Sequence, residues 1–135
     1  MISFIFGSLL VATPRYFTAL RLGQKYLGID NEYGHDFKKI VNGEPAFSLS
    51  DYEAYLIGSS YRMLPNDSLE KVVAYGKKTG VRWILIFFGK STAIELMDYD
   101  NLDWYKNRYL GETYPDLVKF RLGSEDGYLM LYEIL

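Results

Sequence analysis

The sequence predicts an α/β domain, a three-layer sandwich with a mixed, mainly parallel sheet and a C-terminal antiparallel hairpin. Three observations predict it. Residues 81–88 (VRWILIFF) form an apolar run broken only by Arg82, the pattern of a strand covered on both faces by helices. Ahead of that run, strand-like and helix-like segments alternate, an order that implies parallel pairing through right-handed crossovers. Behind it, two strand-like stretches flank the turn Gly123-Ser124-Glu125-Asp126-Gly127, which reads as a hairpin added at one edge of the sheet.

The elements follow in order. Thr13 and Pro14 suit the cap and first position of a helix, with Phe17, Leu20, Gln24 and Leu27 at helical spacing and Gly28 at its end. Asn31 is placed to cap a second helix, with Tyr33, Phe37, Ile40 and Val41 as its buried stripe and Asn42-Gly43 closing it. Pro45 to Leu49 reads as a short strand, Pro standing at its start where no ladder donor is needed. Ser50-Asp51-Tyr52-Glu53 fits a capping box opening a short helix, which Gly58 ends; Ser60 to Leu64 is a second strand. In the helix Ser68 to Thr79, Leu69, Val72, Val73 and Gly76 share the inner face, Glu70, Lys71, Lys77 and Lys78 point to water, and Gly80 terminates it. Beyond the central strand, Asn101 is expected to cap a helix running to Leu110, closed by Gly111. Pro115 then introduces the hairpin strands, Leu117 to Leu122 and Tyr128 to Ile134.

A chain of 135 residues is about one domain's worth, and no internal repeat or low-complexity linker divides it. Residues 13–135 read as a single α/β domain behind an apolar N-terminal segment, residues 1–12. That segment (MISFIFGSLLVA) falls short of the roughly 18 apolar residues that span a bilayer as a helix, and it lacks the basic start of a secretory signal. It fits a buried strand or helix, an atypical signal peptide, or the trailing end of a transmembrane helix.

Composition narrows the chemistry. Net charge is −2 and the densest basic cluster is Lys77-Lys78, so the concentrated basic footprint of a nucleic-acid binder is missing. There is no Cys and one His, His35, which removes thiol nucleophiles and most zinc sites. A serine relay would have to use His35, which stands at a short polar helix start, and no Ser lies in a nucleophile-elbow pattern. No cofactor or metal site is expected. Gly89-Lys90-Ser91-Thr92 ends like a phosphate loop, but Ile84 stands where the opening Gly belongs, so no loop can curl around phosphate. Asp98, Asp100 and Asp103 cluster without calcium-loop spacing. With no complete catalytic site in the chain, the question of whether it is an enzyme stays open. Open α/β sheets bind ligands beyond the carboxyl ends of their strands; here those ends offer Ser50 and Asp51, Asn66 and Asp67, and Lys90, Ser91 and Thr92 as candidate ligand-binding residues. Aromatic residues make up 17% of the chain, chiefly 13 Tyr. Tyr joins an apolar face to a polar tip and suits half-buried surfaces and interfaces.

Three pieces in succession carry a family resemblance: Tyr55-Leu56-Ile57-Gly58, then Tyr61-Arg62-Met63-Leu64-Pro65, then the run from Ser68 through Gly76 and Gly80 to Ile86. Pro115-Asp116-Leu117 and Tyr128 to Ile134 complete it. Over residues 31–135 the order and spacing resemble the C-terminal soluble domain of polytopic membrane glycosyltransferases of the dolichyl-phosphate-mannose-protein mannosyltransferase-like type. The resemblance implies an extracytoplasmic, membrane-associated accessory domain of a transferase that uses a polyprenyl-phosphate-linked sugar. Its partners would be the membrane domain of the parent protein and the lipid-linked sugar or its acceptor, and residues 1–12 would be the remnant of a transmembrane helix. The catalytic carboxylates of such enzymes lie in loops between early membrane helices, so no catalytic residue carries over. The alternatives are a free-standing ligand- or protein-binding domain with a Tyr-rich surface, and a small enzyme using the carboxylates near Asp98 to Asp103.

Overall fold

The computed structural model describes residues 34–88 and 99–135. The segment 1–12, the helix expected from Thr13, the Asn31 cap with Tyr33, and the stretch from Gly89 to Asp98 lie outside the described residues.

A five-stranded sheet runs through the domain in the order β2-β1-β3-β5-β4. Its strands are β1 (Pro45–Ser48), β2 (Ser60–Met63), β3 (Trp83–Phe87), β4 (Val118–Gly123) and β5 (Leu129–Ile134). β1 pairs in parallel with both β2 and β3, whereas β5 is antiparallel to β3 and to β4. β5 alone therefore runs against the rest, and the sheet is mixed but mainly parallel in strand direction. Among the described residues the helices are α1 (His35–Val41), α2 (Asp51–Leu56), α3 (Leu69–Thr79) and α4 (Leu110–Thr113), with a 3-10 turn at Asp103–Lys106.

β3 is the middle strand, and all five of its residues are buried. Alternation along a strand sends successive side chains to opposite faces, and each face meets its own core. Ile84 and Ile86 join Leu69, Val72 and Val73 of α3, together with Tyr105 and Leu110. Trp83, Leu85 and Phe87 join Phe37 and Val41 of α1 and Ile57 at the end of α2. Three layers result, as the apolar run at 81–88 requires. Arg82 stands just before the strand, where its guanidinium reaches Glu133 at 2.8 Å and Glu44 at 3.5 Å.

Local signals set most boundaries. Ser50 Oγ accepts from Glu53 N at 3.3 Å to start α2, and Ser68 Oγ accepts from Lys71 N at 3.4 Å to start α3. α3 buries Leu69, Val72, Val73 and Gly76, the face its spacing predicts. Asn42 ends α1 in the left-handed conformation, with φ of 50°.

One expectation fails. No helix runs from Asn101 to Leu110. Asn101 instead donates its backbone N–H to Asn66 Oδ1 at 3.1 Å, and its amide reaches the Asn66 carbonyl. Leu102, Trp104 and Tyr105 are then buried, at and within a 3-10 turn rather than along an α-helix. Trp104 Nε1 donates to the Asp67 carbonyl at 2.9 Å, which ties this turn to the start of α3. Gly111 falls inside α4 rather than closing a longer helix.

β4 carries a bulge. Phe120 pairs with Tyr132 and Leu122 with Leu131, leaving Arg121 as the extra residue. The added residue switches Leu122 onto the α1 side of the sheet, where it packs beside Leu129 and Leu131.

Candidate functional site

The carboxyl ends of β1 and β2 lie side by side, joined by Leu64 N donating to the Ser48 carbonyl at 3.0 Å. Ser50 and Asp51 follow β1, and Asn66 and Asp67 follow β2. Lys90, Ser91 and Thr92 lie outside the described residues. The chain leaves β1 toward α2 on one face, and after β3 its next described elements pack on the other face. That divergence makes the gap between β1 and β3 a switch point of the kind open α/β sheets use for ligands.

The polar groups at this end already have local work. Ser50 caps α2, Asn66 holds Asn101, and Asp67 Oδ1 accepts from Ser68 N at 2.8 Å while standing 3.4 Å from Lys71 Nζ. Ser48 is fully buried, its hydroxyl donating to the Ser50 carbonyl at 2.6 Å. Asp51 is exposed on the first turn of α2, and Glu53, on the same helix, is buried. Tyr61 sits near both. Burial pushes its phenol above the ordinary value, and the charges of Asp51, Tyr99 and Glu53 push it the same way. His35 is exposed at the start of α1, Asp100 and Asp103 are exposed, and among the described residues no group of three His, Asp or Glu side chains could hold a metal ion.

A second candidate lies at the β5–β4 end of the sheet. Between α4 and the β4–β5 pair lies a groove of about 580 Å³, within the range of roughly 300–1,000 Å³ common for small-molecule clefts. Tyr132 forms its floor, and Phe120 stands edge-on to that ring, centroids 5.7 Å apart at 67°. Gly111 lets α4 come close: a Cβ there would lie 3.2 Å from Phe120 N and 3.7 Å from the Tyr132 ring. Ahead of α4, Asn107 braces the wall, accepting from Tyr109 N at 2.9 Å and donating to Thr113 Oγ1 at 2.8 Å. Arg108 lies with its guanidinium 4.6 Å over the Phe88 ring and donates to the Gly127 carbonyl at 3.4 Å. Burial raises the Tyr132 phenol, a backbone hydrogen bond at Leu110 works against that rise, and the Glu112 carboxylate adds to it.

Both raised phenols make a pH prediction. A phenol whose folded value exceeds its ordinary value of about 10 binds its proton more tightly in the fold than in the unfolded chain. The stability this represents is complete below about pH 10 and is lost as pH climbs through the folded-state values. Melting temperature should hold steady to about pH 9 and fall above about pH 10. Tyr132→Phe should make that fall shallower, read by circular dichroism. An equally steep fall in Tyr132→Phe and Tyr61→Phe would rule these phenols out as its source.

Residue reasoning proposes the strand ends as a candidate site and passes over the groove. Its signal was present: Tyr109 and Phe120 stand among charged residues on either side of Gly111, with Tyr132 in the following strand. Among the described residues, no helix is long and apolar enough to cross a membrane. Comparison with protein-family models, curated proteins and solved structures finds no match.

Proposed function

We propose that this chain is a non-catalytic accessory domain of a membrane-bound glycosyltransferase, working at the extracytoplasmic face with a polyprenyl-phosphate-linked sugar. The observation that carries this reading is the run from Tyr55 to Ile86, which holds the three resembling pieces. It falls on the end of α2, then β2, α3 and β3, a continuous stretch of the layered core. Pro115-Asp116-Leu117 likewise stands directly before the β4–β5 pair. In this reading the partners are the membrane domain of the parent protein and the lipid-linked sugar or its acceptor.

The chain has no Cys, so one introduced thiol can report its location. Ser60→Cys places that thiol on the exposed edge strand β2. In intact cells of its own host, a membrane-impermeant maleimide is expected to label the variant without permeabilisation. Labelling only after lysis would overturn the extracytoplasmic assignment. That result would favour a second reading, a free-standing binding domain with a Tyr-rich surface. The exposed Tyr55 and Tyr109, 72% and 67% accessible, are the observation behind it.

A further inference from the structure

The geometry points to the groove between α4 and the β4–β5 pair as a binding site for the pyranose ring of an uncharged sugar. Phe120 would lie against the apolar face of the ring, and Glu112 and Arg108 would take its hydroxyls. This goes beyond the accessory-domain reading, because it would hold for a chain with no membrane partner.

The aromatic surface comes first. Phe120 and Tyr109 line the groove and remain 48% and 67% exposed, whereas the Tyr132 floor is 1% exposed. Large aromatic faces left in water cost free energy that an apolar partner relieves. The edge-on contact with Tyr132 braces the Phe120 ring, so little ordering remains to be done when a ligand arrives. The axial C–H bonds of a pyranose carry slight positive charge and suit the negative face of such a ring.

Charge then selects among ligands. Three charged residues line the groove, Arg108, Glu112 and Lys119. Lys119 pairs with Glu133 in the sheet, and alternation turns both side chains to the opposite face. Among the described side chains the groove keeps one cation and one carboxylate, a balance suited to a neutral ligand rich in hydroxyls. Glu112 accepts only, whereas Arg108 donates only and uses part of its five-donor fork on Gly127. Together they match hydroxyl groups, each both donor and acceptor.

A peptide added as a further strand fits less well. The β4 edge is interrupted by the bulge at Arg121 and flanked by Lys119 and Arg121, features that keep edges from pairing. A second copy docking through this edge meets the same obstacles.

The test uses the full chain and saturation-transfer NMR at millimolar concentrations of methyl α-glucopyranoside, methyl α-mannopyranoside and glucose 6-phosphate. Transfer to the ring protons of at least one neutral glycoside is expected. Phe120→Ala should weaken it about tenfold or more, and Glu112→Gln several-fold, with unchanged circular dichroism in both. Because Phe120 and Glu112 are exposed, neither variant should unfold the domain. No transfer from either glycoside, undiminished transfer in both variants, or transfer confined to glucose 6-phosphate would overturn the assignment. The labelling experiment can fail independently of all three results.

Discussion

Trp83→Ala is expected to destabilise the domain by about 3–5 kcal/mol, the range for emptying a large aromatic site in a packed core. Trp83 is 1% exposed and packs between the α1 layer and the sheet beside Leu85 and Phe87. Its indole N–H also donates to Glu44 Oε2 at 2.8 Å, and the Arg82 guanidinium lies 4.9 Å over the ring. Two losses therefore combine, the filled volume and the hydrogen bond. Trp83→Phe separates them. It keeps most of the apolar contact and removes the donor, while Glu44 retains Arg82, so a cost of about 1–2 kcal/mol is expected. Urea unfolding followed by far-ultraviolet circular dichroism measures both. A cost below about 1 kcal/mol for Trp83→Ala would be a surface value and would remove β3 from the interior of the sandwich.

Gly76→Ala should also destabilise, although alanine favours helix over glycine by about 1 kcal/mol. Gly76 lies on the buried face of α3. A Cβ there would come 2.6 Å from Ile134 Cδ1, 3.0 Å from the Val81 carbonyl oxygen and 3.1 Å from Phe47 Cε2. The isoleucine methyl can swing away. The Val81 carbonyl is backbone, in the short connection from Gly80 into β3, where Val81 N already donates to the Gly76 carbonyl at 2.9 Å. Overpacking of this kind costs about 1–3 kcal/mol and outweighs the propensity gain. Ala74→Gly on the exposed face of the same helix is the comparison: it should cost about 1 kcal/mol through propensity alone. If Gly76→Ala raised the unfolding midpoint, α3 would have to sit farther from the sheet than the contacts require.

Local chemistry explains which parts of the fold were legible. The α3 stripe, the Ser50 cap and the buried β3 depend on residues a few positions apart, and each stands where spacing puts it. The stretch after Asp100 was misread because its controlling partners are distant. Asn101 resembles a cap, but Asn66 holds it, and Asp67 holds Trp104. The alternation of Val118, Phe120 and Leu122 hides the bulge at Arg121: period two puts all three on one face, whereas the extra residue sends Leu122 to the other. The strand ends were legible as a place to look because α/β topology fixes where such ends lie. The groove was not, because Arg108 to Glu112, Phe120 and Tyr132 meet only after α4 folds onto the hairpin.

The position of β5 bears on how the chain reaches this state. It is the last-made of the five strands, yet it fills the gap between β3 and β4. Until residues 129–134 leave the ribosome, one flank of the most apolar strand has no neighbour, and its amides and carbonyls there can join any passing extended segment. Synthesis therefore carries a period of exposure to misassembly. Stalling or cleavage upstream of Leu129 would leave a species that clumps rather than a smaller folded one.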